Sequence, residues 1–337
     1  MGYLFSLMAK LVIQIPCLNE EASLPITLAD LPRSVPGFDE VTVVVIDDGS
    51  TDRTVEVARG LGVTQIVSLG KRCGLARAFS AGMAKGLSLG ADVIVNTDAD
   101  NQYCGADIAK LVEPILRGEA DLVVGARPIA DIEHFSPLKK LLQFVGSALL
   151  RHVSQTRVAD APSGFRAYSR EAALRVNVFS KFTYTMETLI QAGRQGLRVA
   201  SVPIRVNAKL RESRLFSGMG TYIRRSVATM LRIYLLYSPL QFFLTLGTPL
   251  FLVGAGLMAR WLYYYLYVNP HIQKIPSLIL ASVLILIGVQ LLALGVIADL
   301  ISRNRTLLEE LLYRERKRDP GAGLATFQMV PPGHPRP

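Results

Sequence analysis

Leu240–Ala259 runs for 20 residues without a charged side chain, and Ile275–Ala298 runs for 24. About 20 apolar residues wound as a helix cross a hydrocarbon core, so both stretches are expected to span a membrane. Helices buried in a soluble core rarely go so far without a charge. Basic residues crowd both outer flanks: Arg211, Arg214, Arg224, Arg225 and Arg232 before the first run, and Arg303, Arg305, Arg314, Arg316, Lys317 and Arg318 after the second. The connector Val268–Lys274 carries one Lys. Cytoplasmic flanks are the basic ones, which puts both termini in the cytoplasm and the connector outside. Trp261 and Tyr263–Tyr265 stand where an interfacial aromatic belt is expected. The anchor reads as a helical hairpin in a cell membrane.

The net charge of +10 suggests a nucleic-acid binder until it is located. Residues 1–200 hold 21 basic and 21 acidic side chains, whereas residues 201–337 hold 16 and 6. The whole excess therefore lies in the third that carries the apolar runs, which points to an anionic membrane surface. A neutral globular part without basic–aromatic stripes argues against a nucleic-acid partner. Tyr222–Tyr237 mixes Arg224, Arg225 and Arg232 with apolar residues at helical spacing, as an interfacial amphipathic helix does. Past Asp319 the chain is rich in Pro and Gly and is expected to be disordered. Cys17, Cys73 and Cys104 are odd in number and widely spaced, so neither a disulfide framework nor a zinc site is signalled. A reducing compartment is expected. The first ten residues are not expected to act as a secretory signal.

The first 205 residues alternate strand-like and helix-like segments. Strands are expected at Leu11–Ile15, Val41–Ile46, Val93–Asn96, Leu122–Gly125 and Val199–Ile204. Helices are expected at Glu21–Leu31, Thr54–Leu61, Gly74–Leu89, Ala106–Arg117 and Tyr184–Gln195. This alternation predicts an α/β sandwich with a mostly parallel sheet.

Ligands of such sheets bind at the carboxyl ends of the strands. The first expected strand ends in Pro16-Cys-Leu-Asn-Glu20, the second in Asp47-Asp-Gly-Ser-Thr-Asp52, and the third central one in Asp98-Ala-Asp-Asn-Gln102. Any one cluster alone reads as a turn or a cap; Ser50-Thr51-Asp52 would cap the helix at Thr54. Three together describe a site that binds through carboxylates, with a divalent cation as intermediary. Asp98 and Asp100 form the pair suited to Mg²⁺ or Mn²⁺, hard ions that accept a few carboxylates plus substrate phosphates. His134, His152, His271 and His334 are scattered, and no Gly-x-x-x-x-Gly-Lys-Ser/Thr loop is present.

IPCLNEE, VVVIDDGSTDRT, GLARAFSAGMAKG, NTDADNQY, DLVVGAR and SGFRAYSREA, in this order, resemble the family-2 glycosyltransferases. The likeness is specifically to the polyprenyl-phosphate branch, which includes the dolichol-phosphate mannose synthases, and it covers about residues 10–215. The resemblance implies a GT-A fold, a divalent metal, and inverting transfer of a sugar from a nucleotide-sugar to a lipid phosphate. Pro16, Leu18 (for a frequent Tyr) and Glu20, with Asn19 among them, stand where the family holds the nucleotide. Val45 and Asp47, with Asp48 beside them, match positions lining the base and ribose. Asp98, Ala99, Asp100 and Gln102 match the metal and diphosphate motif, with Asp98, Asp100 and Gln102 as ligands. Cys104 replaces a usual Pro. Arg127 matches a phosphate-contacting Arg, and Asp160 an acidic residue of the acceptor loop. Asp100, Asp160 and Arg127 form the expected catalytic set. Residues 211–214, RESR, match Gly-Glu-Ser-Lys, so Arg214 replaces a phosphate-binding Lys. A family Arg aligns with Ala208, with Lys209 next to it.

The chemistry is consistent with that resemblance. A phosphomonoester is mostly dianionic at pH 7 and needs cations to approach a diphosphate more than it needs a base. Arg127, Lys139, Lys140, Lys209, Arg211 and Arg214 are the cations expected to hold it, although Lys139-Lys140 equally suits a solvated surface. Asp160 would orient the acceptor, stabilise developing positive charge, or pair with Arg166. The chain is thus expected to comprise a GT-A domain at 1–215, an interfacial linker helix at 216–239, two membrane helices at 240–300 and a basic cytoplasmic tail at 301–337. A homo-oligomer is compatible with this plan. Two other readings are an inactive membrane-anchored nucleotide-sugar-binding module and a processive polysaccharide synthase. Intact Asp47, Asp98 and Asp100 oppose the first. The second calls for a Gln-x-x-Arg-Trp motif, yet the only Trp is Trp261, within the anchor. Glucose, mannose and N-acetylglucosamine donors all stay open, with either GDP or UDP as the carrier.

Overall fold

A strand covered on both faces is apolar along its length rather than at alternate positions. The strand β1, Lys10–Cys17, buries seven of its eight residues and lies between two parallel neighbours, β2 (Glu40–Asp47) and β4 (Val93–Asn96). The computed structural model describes residues 9–128, 158–178, 184–208, 228, 231, 232, 234–268 and 275–321. Its sheet has seven strands in the order β3-β2-β1-β4-β6-β5-β7, where β3 is Gln65–Ser68, β5 Leu122–Ala126, β6 Arg166–Ser169 and β7 Val199–Pro203. The helices of this unit are α1 (Leu24–Asp30), α2 (Thr54–Gly60), α3 (Leu75–Ser88), α4 (Ile108–Leu116), α5 (Arg170–Arg175) and α6 (Thr185–Arg194).

Four of the six strand pairings are parallel, and the two antiparallel ones both belong to β6. The segment Arg-Ala-Tyr-Ser has no β-branched residue and opens on a charge, so its pattern gives no strand signal. Its place between β4 and β5 is decided by the ladder. Helix α3 packs Phe79, Met83 and Leu87 on one face of the sheet, beside Ala172 of α5 and Leu189 of α6. On the other face α4 packs Ile108, Leu111, Val112 and Ile115. The expected α/β architecture is the observed one. Asp52 acts one residue further out than a cap would: its carboxylate accepts from the Thr54 amide and hydroxyl, while Arg53 occupies the N-cap position.

The chain divides into two compact units, Met1–Thr221 with Glu309–Pro337, and Tyr222–Leu308. In the second, α7 (Pro239–Tyr263) and the first part of α8 (Ile275–Arg318) are apolar and long enough to cross a membrane. Only 11% and 17% of their most apolar windows are buried, whereas a soluble core helix would be mostly covered. They meet at glycines: a Cβ on Gly254 would lie 2.9 Å from the Ile285 backbone nitrogen, and one on Gly288 2.8 Å from that of Phe251. Small residues let helix backbones approach where no hydrophobic effect drives them together. Trp261 stacks on Tyr265, with ring centroids 5.2 Å apart. Of the expected interfacial helix, the described residues, including Arg232 and Tyr234–Tyr237, are helical.

The tail expected from residue 301 is different in the structure. Helix α8 continues unbroken to Arg318, because TLLEELLYRERKR contains no Gly or Pro to stop it, and the segment from Glu309 belongs to the first unit. Tyr313 is 9% exposed, and its hydroxyl donates to Glu171 at 2.9 Å while Arg175 lies over its ring at 4.2 Å. Arg316 donates to the Val176 carbonyl at 3.0 Å. Tyr313→Ala is expected to destabilise this unit by about 2–3 kcal/mol, below the loss for a fully buried aromatic because the residue is 9% exposed. Thermal unfolding of the detergent-solubilised protein checks this. The end expected to be disordered lies outside the described residues.

Candidate active site

Strands β1 and β2 each deliver a polar turn at the carboxyl end, and hydrogen bonds from backbone amides to side chains join the two turns. After β1, Asn19 takes a left-handed conformation (φ 56°), which Asn tolerates better than most residues. Its amide donates to Ser50 Oγ at 3.0 Å, and its side-chain oxygen accepts from the Thr51 amide at 2.8 Å. The Glu20 amide donates to Thr54 Oγ1 at 2.8 Å, and its carboxylate accepts from Ser23 Oγ at 2.5 Å. The first two sequence clusters are therefore one structure.

The structure separates the roles of Asp47 and Asp48. Asp47 accepts from the Ser50 amide at 2.8 Å and from Ser68 Oγ at 2.9 Å. Asp48 accepts from the amides of Cys73 and Gly74 at 2.7 and 2.9 Å, fastening the loop that leads into α3. Burial pushes its carboxyl up, against those amide hydrogen bonds. Asp48, expected beside the donor, is thus occupied as a loop clasp. Val45, expected against the base, is fully buried with Ile15, Leu24 and Ala58, because its strand is covered on that face. Ala99 is buried in the same cluster, and its carbonyl accepts from Thr27 Oγ1 at 2.9 Å. Pro16 is buried in β1, while Leu18 and Asn19 keep part of their surface.

The Asp98–Gln102 turn follows β4. Asn101 is left-handed (φ 55°), and Asp100 Oδ1 accepts from the Gln102 amide at 3.2 Å. Burial, and then the charge of Asp100, push Asp98 up to about 7, with Arg127 and Tyr103 acting in the opposite direction. A carboxylate held in this way is relieved by a cation. Gly164 leaves the space this requires, since a Cβ there would stand 3.0 and 3.1 Å from the Asp98 oxygens. Asp98, Asp100 and Gln102 supply the hard oxygen donors suited to Mg²⁺ or Mn²⁺. Among the described residues no three His, Cys, Asp or Glu gather into a cage. Two carboxylates with room left for substrate phosphates fit an open site instead.

Asp160 is 1% exposed and bound by Arg127, whose Nε donates at 2.6 Å and Nη2 at 3.0 Å, while the Arg127 amide donates at 3.2 Å. The partner of Asp160 is therefore Arg127 and not Arg166. Arg166 is itself fully buried, and it donates to the carbonyls of Ser163, Thr185 and Ala161 at 2.8, 2.6 and 2.5 Å and to Thr188 Oγ1 at 2.8 Å. Lys139, Lys140, Lys209, Arg211 and Arg214 lie outside the described residues.

Sequence reasoning missed the support beneath the site. Gln14 and Asn96 sit opposite each other in the β1–β4 register, and Gln14 Nε2 donates to Asn96 Oδ1 at 2.8 Å. Asn96 Nδ2 in turn donates to the Gly164 carbonyl and to the Tyr184 hydroxyl, at 2.8 and 2.9 Å. The Gly164 amide donates to the Tyr103 hydroxyl at 3.2 Å, and the Tyr103 ring stacks on Phe165 at 5.0 Å. A signal was present: a lone side-chain amide within the apolar run Leu11–Cys17 of β1, and another closing the apolar β4.

Residues 12–176 match the model of Glycosyl transferase family 2. An undecaprenyl-phosphate mannosyltransferase of Micrococcus luteus is 31% identical over 61% of this chain and 87% of its own length. A UDP-N-acetylglucosamine–dolichyl-phosphate N-acetylglucosaminyltransferase of Methanococcus voltae is 29% identical over 57% and 83%. The crystal structure of glucosyl-3-phosphoglycerate synthase from Mycobacterium tuberculosis with Mn²⁺, UDP and glucosyl-3-phosphoglycerate superposes with a TM-score of 0.52 and 26% identity, covering 67% of this chain and 80% of that one. The polar turns after β1, β2 and β4 and these likenesses agree: the chain belongs to glycosyl transferase family 2, with relatives in its polyprenyl-phosphate branch.

Proposed function

We propose that the protein transfers a sugar from a nucleotide-sugar, GDP-mannose or a UDP-hexose, to a polyprenyl phosphate at the cytoplasmic face of a membrane. The carrying observation is the half-buried Asp98 carboxyl with Asp100 beside it, at the end of β4 and in reach of the Arg127 charge. Two helices of spanning length and apolar exposure support the membrane setting.

The reaction suited to this site is a single displacement. A phosphate oxygen of the lipid forms a bond to the anomeric carbon as the bond from that carbon to the diphosphate breaks. The nucleoside diphosphate leaves with the electron pair, and the configuration inverts. When bound, Mg²⁺ or Mn²⁺ neutralises charge on the leaving diphosphate, and Asp98, Asp100 and Gln102 would hold it. Asn19 and Glu20, with Pro16 and Leu18, shape the donor end at β1, and Asp47 holds the neighbouring turn. Both oxygens of Asp160 accept from Arg127, so Asp160 holds that guanidinium in place rather than taking a proton. The Arg127 side chain is 34% exposed, which leaves Nη1 to meet a phosphate. Lys209, Arg211 and Arg214 supply the further positive charge that two anions need, Arg by bidentate contact.

The test is incubation of the purified protein with a panel of labelled nucleotide-sugars and undecaprenyl or dolichyl phosphate. Arg214→Ala is expected to lower transfer about 100-fold, close to 3 kcal/mol of lost transition-state stabilisation, with donor affinity kept within a few-fold. Arg224→Ala with Arg225→Ala is expected to cost less, and only in vesicles containing anionic lipid, where each basic residue contributes about 1 kcal/mol. Unchanged lipid glycosylation by Arg214→Ala would remove this segment from acceptor capture.

A further inference from the structure

Helix α8 places small residues seven positions apart on the side that meets α7. Ala281, Gly288 and Gly295 are all buried. The Ala281 carbonyl oxygen would lie 3.0 Å from a Cβ on Gly254, and a Cβ on Gly288 or Gly295 would lie 2.8 Å from the Phe251 Cβ or 2.9 Å from the Phe243 Cβ. Ser302, seven residues further on, donates through Oγ to the Leu236 carbonyl at 3.5 Å. This row is therefore taken up by contacts within the chain. At about 100° per residue, side chains two positions on stand on the opposite side of the helix. That second row is Val283, Gln290, Ile297 and Asn304, and all four are exposed, as are Ile287 and Leu294 between them.

An apolar row faces hydrocarbon at no cost, but a carboxamide does not. Gln290 stands eight residues before Ala298, where the uncharged run ends. At about 1.5 Å per residue that is roughly 12 Å inside the run. Thr245 and Ser282 meet the same difficulty locally: their hydroxyls donate to the carbonyls of Phe242 and Leu278 at 2.8 and 2.9 Å. Gln290 makes no hydrogen bond among the described residues, and its exposed side chain carries two N–H donors and one carbonyl acceptor. The partner that suits it is another Gln290. Copies of one chain enter a membrane the same way round, so a second Gln290 lies at the same depth. A two-fold interface must match itself, and a carboxamide does, Nε2 of each copy donating to Oε1 of the other. The row is uncharged from Val283 to Ile297, so no like charges oppose the approach. Val283, Ile287, Gln290, Leu294 and Ile297 are spaced alternately four and three apart, as in the seam of paired parallel helices, where one polar residue fixes register and partner number.

We propose that α8 pairs with α8 of a second copy of this chain along the Val283–Ile297 row, with the two Gln290 carboxamides hydrogen-bonded to each other inside the membrane. The proposal rests on α7 and α8 crossing a membrane. The full-length chain, carrying one fluorophore per copy in phosphatidylcholine–phosphatidylglycerol vesicles, is expected to bleach in two steps, and the two-step fraction should fall as lipid is added. Gln290→Leu keeps the helix apolar and is expected to raise the dimer dissociation constant about tenfold, in keeping with the loss of two hydrogen bonds between helices. Val283→Cys and Ile297→Cys, oxidised in the vesicles, should each link two copies above the wild-type background. Val296→Cys, about a quarter turn from the row, should not. One-step bleaching of the wild type at every protein-to-lipid ratio would overturn the pairing. So would a dissociation constant for Gln290→Leu within about twofold of wild type, or cross-linking at Val296→Cys in place of the row. Release of the wild type from cell membranes by alkaline carbonate would instead overturn the membrane setting, and the pairing with it. Retention leaves the vesicle measurements to judge the pairing alone.

Discussion

Asp98→Asn is expected to lower sugar transfer at least about 1000-fold while the protein stays folded. The substitution keeps the size of the side chain but replaces a charged oxygen donor by a neutral amide. A hard divalent cation relies on carboxylate charge for affinity, and a loss of this size corresponds to roughly 4 kcal/mol of transition-state stabilisation. The fold should survive because the substitution removes a charge that burial already opposes, as the upward displacement of the Asp98 carboxyl to about 7 shows. Asp100→Asn should act in the same direction. Two measurements check the assignment: Mn²⁺ binding by titration calorimetry, which should weaken sharply, and thermal unfolding, which should not fall. Full activity of Asp100→Asn in excess chelator would sink the metal role of this pair.

Arg166→Leu is expected to destabilise the catalytic unit by at least about 3 kcal/mol, since three buried oxygens and one part-buried oxygen lose their donor and each unsatisfied buried group costs about 1–3 kcal/mol. For a unit of this size that means a melting temperature lower by roughly 10 °C. Arg166 ties Ala161 and Ser163, in the loop after Asp160, to Thr185 and Thr188 of α6. Activity should therefore fall before the unit unfolds, because the loop that presents Asp160 to Arg127 is released first. Arg166→Lys keeps the charge but has fewer donors and cannot reach all four acceptors, so an intermediate melting temperature is expected. A melting temperature for Arg166→Leu equal to wild type would show that the buried guanidinium is not what holds this loop.

Sequence reading picks out candidate residues most directly where the chemistry would be carried by contiguous positions. Asp98, Asp100 and Gln102 sit within five positions, and the end of a short apolar strand announces them. It read less well where partners come from distant positions. Asp160 looked as able to pair with Arg166, six residues away, as to act alone; the sheet places Arg127, 33 residues upstream, against it instead. Val45 and Asp48 belong to a motif expected to meet the donor, yet Val45 faces the core and Asp48 clasps the loop at Cys73 and Gly74. Facing is a property of the folded strand, and alternation in a strand covered on both faces leaves no trace in hydropathy.

By itself the sequence determined the features that depend on local pattern and on amounts. Runs of 20 and 24 uncharged residues require two long apolar helices, β-branched runs require buried strands, and the placing of +10 in the last third separates a neutral domain from a basic flank. These are additive properties of neighbouring residues, and folding does not alter them. Only the tertiary structure decided the features that depend on pairing across the chain. It inserted Arg166–Ser169 antiparallel between β4 and β5, and it returned the end of α8 to the first unit through Tyr313. It also led Arg205–Asn207 away from β5 to the loop at Gln102. Each choice turns on one or two hydrogen-bonded or buried contacts between residues about 40 to 140 positions apart. Such contacts form only after the sheet has brought the positions together, so no local periodicity encodes them.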